Sequence, residues 1–168
     1  FVPETAGCWS QKRRGKKKCA WSKEAIINGK LTLGLDKNNG HVQRSGMYHY
    51  HGIPEGLVEK LKIENSFVDL IKIGIAADGF GIYVSKDNKL QPSYQLKKGK
   101  RPNGPLGTYD GSYTEDFEFV YGSGDLDKCN GINFDNNYIY IVTNFFPYIP
   151  RCWSGKPDRS FLKRPDNR

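Results

Sequence analysis

Glycine and proline interrupt this chain so often that no apolar pattern runs long enough to build a helical bundle. Nineteen glycines and nine prolines are spread over 168 residues. They leave short apolar runs at 70–77, 80–84 and 138–142, bounded by turn residues, which is the pattern of strands. Asp78-Gly79, between two of these runs, is a hairpin-turn signal. Residues 114–120 alternate acid with aromatic, so a strand there puts Glu115, or the pair Asp116 and Glu118, on one face and the phenylalanines on the other. One short helix is expected over 54–63, with Pro54 in its first turn and Leu57, Val58 and Leu61 at helical spacing. The Lys-, Pro- and Gly-rich stretch 91–107 reads as an exposed loop, and no internal repeat is read in the chain. The expected fold is mainly β, sandwich or barrel-like, with short strands, long loops and one short helix.

The length suits one ordinary domain able to bury a core of its own. No apolar run approaches the ~20 residues that span a bilayer. The chain opens on Phe1 with no signal-like segment, as a processed protein or a trimmed piece does. Cys8, Cys19, Cys129 and Cys152 form an even set without a Cys-x-x-Cys pair, which fits two disulfides and an oxidising compartment better than a zinc ribbon. Four reduced, buried thiols are the alternative. Of the possible pairings, Cys8–Cys19 and Cys129–Cys152 join neighbours in the chain and are the expected ones.

Charge is uneven. Residues 1–23 carry a net +6, residues 24–150 a net −2 and residues 151–168 a net +4. The excess positive charge therefore sits at the two ends. Lys12, Arg13, Arg14, Lys16, Lys17 and Lys18 fall between Cys8 and Cys19, so a disulfide there turns them into the tip of a closed basic loop that attracts a polyanion. Outside a cell that means an anionic polysaccharide or an anionic membrane surface. A solvated loop without a partner is the plain alternative. The organisation expected is a basic disulfide-closed segment at 1–23, a main domain at 24–155 and a basic tail at 156–168.

The three histidines, His41, His49 and His51, are confined to residues 41–51. On a strand, His49 and His51 leave the same face about 6.5–7 Å apart, close enough to converge on one ion at roughly 2.0–2.1 Å. His41 supplies a third ligand if the chain folds back over Arg44-Ser45-Gly46. Imidazoles suit copper or zinc; calcium, which takes oxygen, is a weak candidate. General acid–base chemistry by metal-free histidine and a purely structural role are the competing readings. Asp36 is the nearest carboxylate in sequence, as an added ligand or as the acceptor that fixes an imidazole tautomer. Tyr48 and Tyr50 point away from His49 and His51 on a regular strand, and with the two histidines are the candidate catalytic groups. The stretch 125–131, with Asp125, Asp127 and Asn130, has the look of an oxygen-rich cation loop, although turns share that composition. Asp78 and Asp110 are further site candidates that also suit turns.

Several blocks resemble one family. The run Asp-Lys-Asn-Asn-Gly-His at 36–41 and Gly-Met-Tyr-His-Tyr-His-Gly-Ile-Pro at 46–54 are similar to the signature of the YHYH domain family, found mainly in secreted proteins. Blocks at 73–83, 109–119, 124–131 and 146–152 follow in the same order. The resemblance implies secretion and no settled activity. Two departures stand out: Asn38 replaces a cysteine, and Tyr138-Ile139-Tyr140 stands where relatives repeat Tyr-His-Tyr.

Three functions follow from these readings. The first is a secreted, monomeric metal-binding domain with a copper or zinc ion on His41, His49 and His51, acting on or binding an anionic extracellular polymer. The second is a metal-independent, lyase-like polysaccharide-cleaving enzyme using histidine and tyrosine. The third is a non-catalytic polyanion- or matrix-binding protein.

Overall fold

The computed structural model describes residues 7–13, 16–43, 46–64 and 69–161. Among them are twelve strands and one α-helix: β1 (Gly7–Arg13), β2 (Lys16–Lys23), β3 (Ile26–Ile27), β4 (Lys30–Leu31), β5 (Gly40–Val42), β6 (Tyr48–Tyr50), α1 (Glu55–Glu64), β7 (Leu70–Ile75), β8 (Gly81–Ser85), β9 (Tyr94–Leu96), β10 (Phe117–Phe119), β11 (Gly131–Phe134) and β12 (Asn137–Val142). The strands are mostly short because turn residues end them early. They form the two-stranded sheets β1-β2, β3-β4, β5-β6 and β9-β10, and one four-stranded sheet in the order β11-β12-β8-β7. The Asp78-Gly79 pair lies in the connection between antiparallel β7 and β8, where Gly79 takes a φ of 90°.

The core lies on both faces of the large sheet. β12 runs parallel to β8 and antiparallel to β11, and residues 139–142 are buried, as expected of a strand covered on two sides. Tyr140 and Val142 join Ile71, Ile82, Val84 and Val58 of α1 in one cluster. Ile139 and Ile141 turn the other way, onto Leu126. Successive side chains of a strand alternate faces, so one short run feeds two clusters. A third cluster joins Ile26 and Leu35 to Phe146 and Tyr148.

Both disulfides form as paired in sequence, Cys8–Cys19 across the β1-β2 hairpin and Cys129–Cys152 in the core. Arg14 and the tail beyond 161 lie outside the described residues, as do the side chains of Lys12, Arg13, Lys16, Lys17 and Lys18.

Two local expectations change. The stretch 91–107 contains β9 and the buried Pro92 and Ser93; it is held in place by pairing with β10 and by the Ser93 hydroxyl donating to the Leu126 carbonyl at 2.5 Å. Residues 114–116 form a 3-10 turn rather than the start of a strand. The cause is Asp116, fully buried, which accepts from Arg101 Nε at 2.7 Å and Nη2 at 2.6 Å, and from the amides of Gly111 and Tyr113. Four donors satisfy a carboxylate that would otherwise be costly to bury. Arg101 also bonds Asp110 at 2.6 Å, so Asp110 serves this ion-pair cluster.

Candidate metal centre

The histidine hairpin is braced from below. Asp36 Oδ1 accepts the amides of Asn38 (2.8 Å) and Gly40 (3.1 Å), closing a turn in which Asn39 adopts a φ of 57°, a conformation asparagine tolerates better than most residues. The Asn39 side chain donates to the carbonyl of core residue Ile53 at 2.8 Å. Asn38 Oδ1 accepts the Gly56 amide at 2.9 Å, satisfying one of the amides left unpaired at the start of α1. A Cβ on Gly40 would run into the Tyr48 ring and hydroxyl, so glycine is required for this packing.

β5 and β6 then pair with His41 opposite His49 and Gly40 opposite Tyr50. Directly opposed residues share a face, and period-two alternation adds His51 to it while sending Tyr48 and Tyr50 to the other. The Nε2 atoms of the three histidines converge: His41–His49 is 3.0 Å, His49–His51 2.9 Å and His51–His41 3.1 Å. His49 and His51 are buried, and His41 is half-buried.

This triangle has the dimensions of one face of a coordination shell. Metal–nitrogen bonds of about 2.0–2.1 Å are compatible with nitrogens this far apart, so His41, His49 and His51 could hold a single ion through their Nε2 atoms. An ideal tetrahedral set spaces its nitrogens by about 3.3 Å, so shifts of a few tenths of an ångström would bring the trio to that spacing. The Nδ1 of His49 lies 3.3 Å from the Met47 carbonyl. A proton on Nδ1 donated there would leave Nε2 a lone pair for a metal ion. Three nitrogens converging this closely call for a proton or a cation between them. Among the described residues, His41, His49 and His51 are the group whose ligand atoms come within metal-binding distance.

Asp36 serves the turn instead. Its Oδ1 is taken by the two amides and its Oδ2 accepts the Tyr48 hydroxyl at 2.7 Å. The Tyr48 bond, with the Gly40 and Asn38 amides, holds the Asp36 carboxyl below its usual range. The same bond pushes the Tyr48 phenol up to about 12, away from the range a general base needs at neutral pH. Tyr50 packs edge-on against Tyr48, with ring centroids 5.3 Å apart.

In the 125–131 loop, Asp127 Oδ1 accepts the Cys129 and Gly131 amides and Oδ2 accepts Tyr138, so donors of the chain itself fill this carboxylate. Asp78 accepts Tyr140 and the Gly155 amide. Asp36-x-Asn38-x-Gly40 before His41 reads in sequence as an oxygen-rich loop or a turn; the bonds of Asn38 to α1 and of Asn39 to Ile53 are not foreshadowed by that reading.

A family model described as YHYH protein matches residues 1–155 of the 168. The chain belongs to the YHYH family. No curated protein and no solved structure gives a significant match. In this YHYH protein the Tyr-His-Tyr-His run is Tyr48 to His51, split by strand alternation into two histidines facing the candidate centre and two tyrosines facing the scaffold. The family match includes the basic β1-β2 hairpin.

Proposed function

We propose that this protein is a secreted metal-binding domain that holds one copper or zinc ion on the Nε2 atoms of His41, His49 and His51. The observation that carries the reading is the nitrogen triangle, 2.9–3.1 Å on a side. Imidazole donors match copper and zinc and poorly match calcium. Two disulfides support an oxidising compartment, and no helix among the described residues is long and apolar enough to cross a membrane. Three protein ligands leave coordination positions for water or a substrate atom, the arrangement from which hydrolytic or redox chemistry starts; capture alone needs nothing more than the trio.

The anionic extracellular polymer belongs to the same proposal. Its support is the net +6 of residues 1–23, a segment that includes the strands β1 and β2 joined by Cys8–Cys19. Binding through Lys12, Arg13, Arg14, Lys16, Lys17 and Lys18 is electrostatic and is lost as salt rises.

The deciding experiment is elemental mass spectrometry of protein purified without affinity metal, before and after incubation with copper and zinc, beside a His49→Ala/His51→Ala control. A stoichiometric ion in the wild type that is missing from a folded control is the expected result. No ion in either sample refutes the reading. Retention on a sulfated-polysaccharide column, compared with a variant carrying glutamine at the six basic positions, tests the polymer.

A further inference from the structure

Two parts of the chain repeat one structure. Leu35-Asp36-Lys37-Asn38-Asn39-Gly40 and Leu126-Asp127-Lys128-Cys129-Asn130-Gly131 differ at one position of six, and the hydrogen bonds of their aspartates coincide, whereas the asparagine side chains part, Asn39 donating to the Ile53 carbonyl and Asn130 to that of Ile141. Asp127 Oδ1 accepts the amides two and four residues on at 2.8 and 2.9 Å, as Asp36 Oδ1 does at 2.8 and 3.1 Å. Asp127 Oδ2 accepts Tyr138 at 2.8 Å, matching Asp36 and Tyr48 at 2.7 Å. Asn130 has a φ of 62° where Asn39 has 57°. A Cβ on Gly131 would strike the Tyr138 ring as one on Gly40 would strike Tyr48. The strands agree too. Gly131 opposes Tyr140 and Ile132 opposes Ile139, as Gly40 opposes Tyr50 and His41 opposes His49. The Ile141 amide donates to the Asn130 carbonyl at 2.8 Å, the His51 amide to Asn39 at 2.8 Å. Tyr138 and Tyr140 meet edge-on at 5.1 Å, Tyr48 and Tyr50 at 5.3 Å. The copies differ in the connection between strands, which in the second is the two-residue turn Asp135-Asn136, with φ values of 47° and 62°.

The correspondence places His41, His49 and His51 on Ile132, Ile139 and Ile141. We propose that residues 126–141 are a second metal cradle of the same build, closed in this chain by three isoleucines, and that positions 132, 139 and 141 hold a zinc or copper ion when they carry imidazole. The inference rests on the metal reading of the histidine trio. Ile139 and Ile141 are buried against Leu126, and Ile132 packs on them, so apolar contacts occupy the face where the first copy presents nitrogens. The repeat also divides labour within the first copy. Asp36, Asn39, Gly40, Tyr48 and Tyr50 recur where no histidine stands, which makes them scaffold; what distinguishes the first copy is the imidazole set.

The test compares zinc and copper per chain by elemental mass spectrometry, with circular dichroism, for the wild type, for Ile132→His/Ile139→His/Ile141→His, and for the reverse exchange His41→Ile/His49→Ile/His51→Ile. The expected result is a single equivalent in the wild type, a second equivalent in the three-histidine variant, and none in the folded isoleucine variant. A folded three-histidine variant that binds no more than the wild type overturns the second cradle and leaves the first untouched. Absence of metal from both the wild type and that variant removes the metal reading and this inference with it. If the three-histidine variant does not fold, the reverse exchange decides. Native circular dichroism and a melting temperature no lower than that of metal-free wild type support equivalent cradles, and an unfolded chain overturns them.

Discussion

Removing the guanidinium of Arg151 strands a carboxylate. The Glu24 side chain is 4% exposed and Arg151 17%; Arg151 donates to it at 3.2 and 2.6 Å and donates twice more to the Pro147 carbonyl, at 3.2 and 3.1 Å. In Arg151→Met only the Thr114 hydroxyl still serves the Glu24 carboxylate among these partners. Breaking a buried ion pair from one side costs about 3–5 kcal/mol, and the partial exposure of Arg151 favours the lower end because water reaches the vacated space. At about 2–4 °C per kcal/mol for a chain of this size, a loss near 3 kcal/mol lowers the melting temperature by roughly 6–12 °C. In Glu24→Gln/Arg151→Met the amide is neutral and can still accept from Thr114, so the double variant is expected to be more stable than Arg151→Met by about 1–2 kcal/mol. Urea unfolding followed by tryptophan fluorescence, with disulfides intact, measures all three proteins. The reasoning fails if Arg151→Met lies within about 0.5 kcal/mol of the wild type, or if adding Glu24→Gln makes it less stable.

Zinc at a hundredfold excess over its dissociation constant should stabilise the fold by about 2.7 kcal/mol, read as a rise in melting temperature that His49→Ala abolishes; an equal rise in the variant would place the ion elsewhere. The folded-state phenol of Tyr48 is raised to about 12 by Asp36, so its contribution to stability is present below the ordinary tyrosine range near 10 and disappears as pH climbs through 12. The ultraviolet difference titration between wild type and Tyr48→Phe should therefore have its midpoint near 12, and a midpoint near 10 rejects the bond. Asp36, held low, works in the opposite sense: its contribution is present above the unfolded carboxyl value and is lost as pH falls through the folded one. Replacing Cys129 and Cys152, 23 residues apart, by alanine should cost about 3 kcal/mol by loop entropy. The exposed Cys8–Cys19 pair spans 11 residues and should cost less; guanidinium titrations that reverse this order would count against the chain-entropy account.

The helix, the Asp78-Gly79 hairpin and both disulfides were legible because each depends on neighbours in sequence: Pro54 before an apolar stripe, a turn pair between two apolar runs, cysteines a short loop apart. The histidine set was legible as a cluster and as strand alternation. Its convergence depends on His41 pairing opposite His49, a register that no residue type announces. Alternation alone puts Asp116 on a strand face, since its partner Arg101 lies in a stretch whose composition says loop. The repeat is hidden in the sequence because its two copies share turn residues, which occur in any loop-rich chain, and differ at the three histidine positions. Their strand connections also differ in length, which breaks the alignment between the glycines and the tyrosine pairs.

The placement of the histidines on a small sheet of their own bears on the order in which the molecule assembles. β5 and β6 meet within residues 40–50, whereas the four-stranded sheet waits for β12 at 137–142 to reach β8 at 81–85. Short loops close faster than long ones, so a chain emerging into its compartment brings its imidazoles together before the central sheet has zipped up. A hairpin that small is marginal by itself, and an ion captured then would act as a nucleus on which the later strands condense. Pulse-labelled hydrogen exchange during refolding should find the β5–β6 amides protected ahead of those of β12 when zinc is present, and the lead should shrink when it is removed.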